Sequence, residues 1–212
     1  MSWEIFDQKA DRYDAWFESR QGSAIFSAEV ECLRKLLPPD TSNWVEVGVG
    51  TGRFAAALGV PEGIDPSVHM IEKAQERGIQ TRHGSAETLP YQTGRLAGIL
   101  MAVTLCFLDD PEDSMRECRR VVAPGGKMVQ GIVPADSSWG RYYQEEAEEG
   151  HPFYSAARFF SCRETIELAE AAGFELAGAA STLPMAPGEN LTNIPVLDGI
   201  VDGCSFVSML FH

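Results

Sequence analysis

Basic residues and long apolar runs are both scarce in this 212-residue sequence. It contains 17 Lys and Arg against 31 Asp and Glu, which gives a net charge of −14 and a pI near 4.6. Proteins bind nucleic-acid backbones and anionic membranes through clustered Lys and Arg, and the sequence has no basic stripe. No apolar run reaches the roughly 18 residues of a membrane span, and the first residues do not read as a signal peptide. These absences disfavour nucleic-acid and membrane partners and predict a cytoplasmic protein.

Paired cysteines and clustered metal ligands are also lacking. The five cysteines are odd in number, scattered and without any C-x-x-C pair, which argues against a disulfide framework and a structural zinc site. We therefore predict reduced cysteines and no metal. A chain of this length can bury most of its unfolded surface, so we expect a single domain over residues 1–212.

A glycine-dense turn at residues 44–55 is the most informative stretch. It reads Trp-Val-Glu-Val-Gly-Val-Gly-Thr-Gly-Arg-Phe-Ala, a short apolar strand followed by alternating glycines and then helix-forming residues. The glycines allow positive φ angles and a close approach of the backbone to a ligand. A dinucleotide-binding turn would carry a small residue where Arg53 stands, and an acid such as Glu46 would repel its pyrophosphate. The turn therefore disfavours a nicotinamide-dependent oxidoreductase.

An acid followed by G-x-G-x-G resembles the first motif of the class I S-adenosylmethionine-dependent methyltransferases, in particular the small-molecule branch similar to the ubiquinone and menaquinone methyltransferases. Their cofactor carries a sulfonium and an amino group and no phosphate, so an acid is compatible with it. The resemblance implies a Rossmann-like α/β fold with a seven-stranded, mostly parallel sheet, helices on both faces, an N-terminal helical lid and a C-terminal antiparallel hairpin.

Two further segments strengthen this resemblance. Asp65 ends a predicted second strand, whose carboxyl end should lie beside the glycine turn, and its carboxylate can accept two hydrogen bonds from ribose hydroxyls. Ser67 is placed to cap the next helix. The stretch from Gly84 to Tyr91 resembles the segment that covers the adenine in these enzymes. The cofactor-binding residues implied together are Tyr13, Glu46, Gly48, Gly50, Gly52, Asp65, Pro66, Ser67, Ala86 and Glu87.

Aromatic residues concentrate in two segments that flank this predicted core. Residues 3–19 have the apolar spacing of one amphipathic helix, and we expect Gly22 to break it before a second helix over residues 23–37. We interpret residues 1–37 and 135–160 as lids, because small organic ligands are bound in pockets lined by such side chains. An aromatic face that merely packs on the core remains an alternative. The candidate substrate residues are Trp16, Tyr142, Tyr143 and His151.

The predicted activity is methyl transfer to a small, uncharged or cationic acceptor. The sequence lacks the Pro-Pro-Tyr or Pro-Pro-Phe motif of the nucleic-acid amino methyltransferases, and a dedicated base is needed only when the acceptor arrives protonated. We therefore name no catalytic residue. His83, at a strand end, is interpreted as a packing or surface residue. A homodimer is compatible with the sequence, and a non-catalytic protein that senses S-adenosylmethionine or S-adenosylhomocysteine, or acts as a scaffold, remains the alternative function.

Overall fold

The fold is an eight-stranded, mostly parallel sheet with helices on both faces, seen in a computed structural model that describes residues 2–212. The strands are β1 Trp44–Val47, β2 Glu62–Asp65, β3 Gln80–His83, β4 Leu96–Ala102, β5 Val122–Ile132, β6 Leu176–Thr182, β7 Leu197–Asp198 and β8 Phe206–Phe211. The α-helices are α1 Glu4–Gln8, α2 Ala10–Trp16, α3 Arg20–Arg34, α4 Arg53–Leu58, α5 Val68–Glu76, α6 Pro111–Val121, α7 Ser138–Glu148 and α8 Cys162–Ala171. Short 3₁₀ helices span Leu105–Phe107 and Tyr154–Ala156.

The sheet order is β3-β2-β1-β4-β5-β8-β6-β7. Strands β1 to β5 are parallel to one another, and β8 runs antiparallel to both β5 and β6, between which it lies. The Rossmann-like class and the C-terminal antiparallel strands are therefore confirmed. The eighth strand, β7, was not expected: it has two residues, which pair with Ala180 and Ser181 of β6. A strand this short has no alternation of apolar and polar residues by which the sequence could reveal it.

Two apolar clusters lie on opposite faces of the sheet because alternate strand residues point in opposite directions. In β4, Ile99 and Met101 belong to the cluster under α6 and α8, whereas Leu100 belongs to the cluster under α3 and α4. All five cysteines are free thiols. No helix within residues 2–212 is both long enough and apolar enough to span a bilayer. Both faces of the central strands are thus covered, which explains their nearly continuous apolar sequence.

The N-terminal helices differ from the prediction. Residues 4–16 form two short helices that meet at Lys9, where one helix had been expected. Gly22 does not break a helix: it lies inside α3, which begins at Arg20 after the capping Ser19. A Cβ at Gly22 would lie 2.1 Å from the carbonyl oxygen of Trp16. The glycine is therefore needed for the close packing of α2 against α3, and the helix break falls before it.

Helix caps were predicted more accurately. The side chain of Ser67 accepts a hydrogen bond from the N–H of Met70, and Asp110 accepts one from Asp113. Ser161 and Glu164 form the expected reciprocal capping box at the start of α8. Caps depend on neighbours only three residues away, which is why the sequence alone identifies them.

Candidate functional site

The glycine turn between β1 and α4 forms one wall of the candidate site. Gly48, Gly50 and Gly52 have φ angles of 72°, 52° and 80°, a region in which glycine carries no steric penalty. A Cβ on Gly48 would lie 2.2 Å from the Thr104 side chain, and one on Gly52 would lie 2.9 Å from the backbone of Ala74. A Cβ on Gly50 would meet no atom within 4 Å. Gly50 is therefore the glycine at which the backbone borders open space.

A cavity of ≈ 180 Å³ lies over this turn. It is bordered by the carboxyl ends of β1, β2 and β4, the edge at which α/β proteins bind ligands, and it is roofed by the N-terminal residues. The predicted cofactor-binding residues that line it are Tyr13, Gly48, Gly50, Asp65, Pro66, Ala86 and Glu87. Three others lie behind the lining: Glu46 under the turn, Gly52 against α5, and Ser67 at the start of α5.

Asp65 fixes the turn from the neighbouring strand. Its Oδ2 accepts a hydrogen bond of 2.8 Å from the N–H of Gly50, and its Oδ1 accepts one of 2.9 Å from the N–H of Ser67. Burial raises the pKa of Asp65 to about 6, against the lowering effect of these two bonds. A carboxylate has about four acceptor positions. Two are used by the backbone, which leaves Asp65 able to accept two hydrogen bonds from a ligand in the cavity.

Glu46 is an acid buried without a full set of partners. The residue is 1% exposed, and no donor in residues 2–212 reaches its Oε2. Burial raises the pKa of Glu46 well above its usual range, and the nearby Asp65 charge adds to this rise. Burying such a group is unfavourable unless opposite charge or a donor compensates it. The position therefore fits a ligand that carries positive charge over the turn.

The opposite wall of the cavity comes from the loop after β3. Ala86 is buried there, and Oε1 of Glu87 accepts a 3.3 Å hydrogen bond from the N–H of Asp110. Over the described part of the chain, the amide N–H groups of Ala86 and Glu87 donate to no protein acceptor. His83 is exposed, and its Nε2 lies 2.9 Å from the carbonyl oxygen of Pro66. This loop thus leaves two backbone donors available beside the cavity.

The roof of the cavity is aromatic and comes from the first two helices. Phe6 of α1 contacts Phe107 edge-on, with ring centroids 4.7 Å apart, and also contacts Tyr13 and Phe153. Burial raises the pKa of the Tyr13 phenol, and the charges of Glu29 and Glu46 raise it further. The roof therefore shields the cavity from water with neutral rings.

A second, smaller cavity of ≈ 50 Å³ lies beside the first. Val103 and Phe107 line both, and the other walls of the second cavity include Tyr143 and Tyr154. The rings of Tyr143 and Tyr154 are stacked with centroids 4.3 Å apart, and His151 stacks on Tyr154 at the same distance. Burial lowers the pKa of His151. Of the four predicted substrate residues, only Tyr143 lines this cavity.

Trp16 and Tyr142 lie outside both cavities. Each is 37% exposed; Trp16 packs edge-on against Phe17, and Tyr142 packs against Trp139 and Tyr143. His151 is one ring removed from the second cavity. The physical reason is the direction of α2 and α7: each presents one aromatic stripe inward, and neighbouring aromatic positions on the same helix turn outward.

Sequence reasoning did not single out two residues of the site, Val103 and Thr104. Val103 has a φ of 55° at the end of β4, a conformation that its β-branched side chain gives no reason to expect. Thr104 packs against Gly48. Outside the lining of both cavities, sequence reasoning also missed Glu29, an acid that is 6% exposed in the middle of α3; the available signal was its place on the apolar face of that helix.

The fold and the site define a Rossmann-like α/β protein of the methyltransferase type. The family described as "Methyltransferase domain" matches residues 45–130, which run from the glycine turn to β5. A solved structure from Thermotoga maritima, described as an S-adenosylmethionine-dependent methyltransferase and possible histamine N-methyltransferase, is 36% identical with a TM-score of 0.92 and covers 100% of this chain and 99% of its own.

Two curated proteins are also similar to the chain. An uncharacterised protein of Mycobacterium tuberculosis is 38% identical over 201 residues, 94% of this chain and 70% of its own length. A rice 2-methyl-6-phytyl-1,4-hydroquinone methyltransferase is 31% identical over 123 residues, 52% of this chain and 33% of its own length. The chain belongs to the S-adenosylmethionine-dependent methyltransferase family.

Proposed function

We propose that the protein binds S-adenosylmethionine in the first cavity and transfers its methyl group to a small molecule that enters the second. The observation that carries this proposal is the arrangement around Gly50, whose open backbone is bonded to the Asp65 carboxylate in a turn that directly follows the buried, partly unpartnered Glu46. Two acids at this turn suit a ligand with hydroxyl groups and positive charge. They do not suit a pyrophosphate.

Each wall has an assigned task in this proposal. Asp65 accepts hydrogen bonds from the ribose hydroxyls, and the free N–H groups of Ala86 and Glu87 face the adenine edge. Glu46, behind the lining of the turn, offsets the positive charge of the amino group at the other end of the cofactor. The cofactor supplies a methyl group on a sulfonium, which is already a good leaving group. The protein therefore has to align the acceptor and exclude water, a positioning task that can lower a barrier by about 7–11 kcal/mol.

The second half of the proposal, acceptor binding and water exclusion, concerns the two aromatic segments. Residues 1–37 and 135–160 act as lids of one domain, with the roof of Phe6 and Tyr13 excluding water and the walls of the second cavity receiving the acceptor. A protein that only senses the cofactor needs no second cavity. The acidic balance of the chain supports a small neutral or cationic acceptor over a nucleic acid.

Calorimetry combined with label transfer tests the proposal. S-adenosylhomocysteine should bind with a dissociation constant in the micromolar range or tighter, and NAD should not bind. Methyl-labelled S-adenosylmethionine should then label a pool of small metabolites and leave tRNA and DNA unlabelled. Binding of NAD in place of S-adenosylhomocysteine, or label in the nucleic acid, would contradict the proposed function.

A further inference from the structure

The short segment that follows β4 borders both cavities of the site. Leu105 and Cys106 line only the second cavity, whereas Val103 and Phe107, at the two ends of the segment, line both cavities. We call this segment, residues 103–107, the partition. Because the same two side chains border the space on either side, the partition is thinnest at Val103 and Phe107.

Hydrogen bonds attach the partition to the sheet and to the glycine turn. The N–H of Val103 donates a 2.8 Å bond to the carbonyl oxygen of Gly131 in β5, and the carbonyl oxygen of Val103 accepts a bond from Sγ of Cys106 at 3.6 Å. On the side of the first cavity, Oγ1 of Thr104 donates a 3.3 Å bond to the carbonyl oxygen of Gly48. The partition is therefore held in a fixed position relative to both β5 and the turn.

Val103 has a strained backbone. Its φ of 55° lies in the left-handed region, which among residues 2–212 only two other non-glycine residues adopt, Leu183 and Asn193. For a β-branched residue this conformation is an outlier, whereas glycine would adopt it without a steric penalty. Strain of this kind persists at functional sites. The backbone alone would be served better by glycine, so the reason for a valine must lie in its side chain.

Phe107, at the other end of the partition, is also held in place. Its ring contacts the ring of Phe6 edge-on, with centroids 4.7 Å apart, and its carbonyl oxygen accepts a hydrogen bond from the hydroxyl of Ser2. Its N–H donates a 2.9 Å bond to the carbonyl oxygen of Thr104. The side chain of Val103 is stiff because it is branched at Cβ. The distance between these two side chains is therefore set by the fold.

We propose that Val103 and Phe107 form the passage through which the methyl group moves from the cofactor to the acceptor, and that the Val103 side chain sets the width of this passage. Val103 is thereby a specificity-determining residue, which admits a methyl group and excludes larger alkyl groups. This inference rests on the proposed function, and it adds the place at which the group crosses from one cavity to the other.

The geometry of the reaction requires such a crossing. An electron pair of the acceptor forms the new bond to the methyl carbon, and the electron pair of the C–S bond returns to sulfur. The sulfonium becomes a neutral thioether, and its positive charge passes to the methylated acceptor. The acceptor atom, the carbon and the sulfur must lie on one line, with the reacting atoms about 3–3.5 Å apart. With the cofactor in the first cavity and the acceptor in the second, this line crosses the partition where it is thinnest.

The reverse reaction probes the passage with any acceptor left out. An alkyl iodide in the second cavity can alkylate S-adenosylhomocysteine in the first: a sulfur lone pair forms the S–C bond, and the electron pair of the C–I bond leaves with iodide. Methyl iodide then gives S-adenosylmethionine, and ethyl iodide gives its S-ethyl analogue. Among residues 2–212, those that line the second cavity carry no charged side chain, which suits a neutral, apolar halide.

The test compares Val103→Ala with the matched control Val133→Ala. Both valines are half-buried and pack against the same apolar cluster, but Val133 lines only the second cavity. Each protein is first titrated with S-adenosylhomocysteine and then incubated with it and either methyl or ethyl iodide. The rates are divided by those of the same reaction without protein, and the intact mass of each protein shows whether its free thiols have been alkylated.

The ratio of the ethyl rate to the methyl rate measures the width of the passage. Wild type should accelerate the reaction of methyl iodide and discriminate against ethyl iodide. One additional methylene in a restricted pocket is worth about 10–200-fold, so Val103→Ala should raise the ratio by about tenfold or more. Val133→Ala should change both rates together and leave the ratio as in the wild type, because the cavity wall that it alters faces the iodide.

Three results would overturn the inference while leaving the proposed cofactor site intact. They are an unchanged ratio in Val103→Ala, an equal rise of the ratio in Val133→Ala, and a wild type that binds S-adenosylhomocysteine without accelerating its reaction with methyl iodide. If the wild type fails to bind S-adenosylhomocysteine, the proposed function fails first. Val103→Gly provides a second variant if alanine in this conformation impairs folding: glycine adopts the positive φ without a penalty, and this variant should show the same rise or a larger one.

Discussion

Arg53 of α4 donates a 2.7 Å hydrogen bond from Nε to Oδ1 of Asp14 in α2, and both side chains are largely buried. Arg77 at the end of α5 donates to the same carboxylate at 2.8 Å and to the carbonyl oxygen of Thr51 at 2.9 Å. Burial acts to raise the pKa of Asp14, but the hydrogen bonds from Arg53 and Arg77 outweigh this effect and lower the pKa below its usual range. The arginine that breaks the dinucleotide pattern thus attaches the roof of the site to the glycine turn.

Asp14→Asn should loosen this roof. It leaves Arg77 without its acidic partner and Arg53 with only the exposed Glu18, a loss of about 1–3 kcal/mol for a buried charged contact. We expect weaker S-adenosylhomocysteine binding, and faster hydrogen exchange over residues 3–17 in the free protein. Exchange over residues 3–17 and 139–154 should slow in the wild type when the ligand binds.

Asp11→Asn is the control for Asp14. Asp11 also pairs with a cation, Lys73 at 2.6 Å, but its side chain is 95% exposed. Exposed pairs contribute at most about 1 kcal/mol, so this variant should behave as the wild type. If Asp14→Asn also exchanges and binds like the wild type, the N-terminal helices are static packing and do not close over the site.

Gly50→Ala should impair binding more than folding. Its Cβ would enter the open space of the cavity, whereas the left-handed backbone costs a non-glycine residue roughly 1–2 kcal/mol. Gly78→Ala is the matched control, since it has a φ of 81° and also meets no atom within 4 Å, but lies at the end of α5 outside the cavity lining. The midpoint temperature of thermal unfolding should drop by a similar amount in both variants. If both variants bind S-adenosylhomocysteine with equal affinity, Gly50 does not border the ligand site.

Asp65 should make cofactor binding depend on pH. Its pKa of about 6 in the free protein means that a proton competes with the ligand hydroxyls for the carboxylate below that pH. Affinity for S-adenosylhomocysteine should therefore fall by up to about tenfold per pH unit below about pH 6 and be constant above it. Calorimetry on Asp65→Asn across this pH range should find no such slope. At neutral pH the variant should bind S-adenosylhomocysteine roughly tenfold or more weakly than the wild type, which corresponds to a loss of about 1.5–3 kcal/mol in binding free energy. A slope that persists in the variant would assign the pH dependence to another acid.

Features that depend on a few neighbouring residues were predictable from the sequence. The positive φ angles of Gly48, Gly50 and Gly52 follow from the lack of a side chain, and the cap at Ser161 follows from the glutamate three residues later. The carboxyl end of β2 was placed beside the glycine turn because parallel strands with a short connection end at the same edge. These local rules were enough for the fold and for most of the first cavity.

Contacts between distant segments were not predictable. Asp14 meets Arg53 and Arg77 across 39 and 63 residues of sequence, and no local pattern pairs them. Tyr13 and Trp16 are both aromatic and three residues apart, yet only Tyr13 reaches the cavity. Which of them faces inward depends on how two short helices pack on the sheet, and residues on one helix do not determine that packing.

The free energy of unfolding should depend on pH through Glu29. The direction of this dependence distinguishes Glu29 from ordinary surface acids. Its pKa in the folded protein, about 8, exceeds the value of 4.5 expected for an exposed glutamate. Folding therefore favours the protonated form: the contribution to stability is fully present below about pH 4.5 and is lost as pH rises to about 8. The loss is on the order of 2–5 kcal/mol for a shift of this size.

Glu29→Gln removes this dependence because the amide stays neutral. Melting curves should nearly coincide with the wild type at about pH 4.5 and diverge as pH rises, with the variant more stable by on the order of 10 °C at about pH 8.5. The exposed control, Glu31→Gln, should follow the wild type throughout. If Glu29→Gln instead loses stability equally at all pH values, the carboxylate has a partner in solution that stabilises its charge, and the buried acid is then charged in the folded protein.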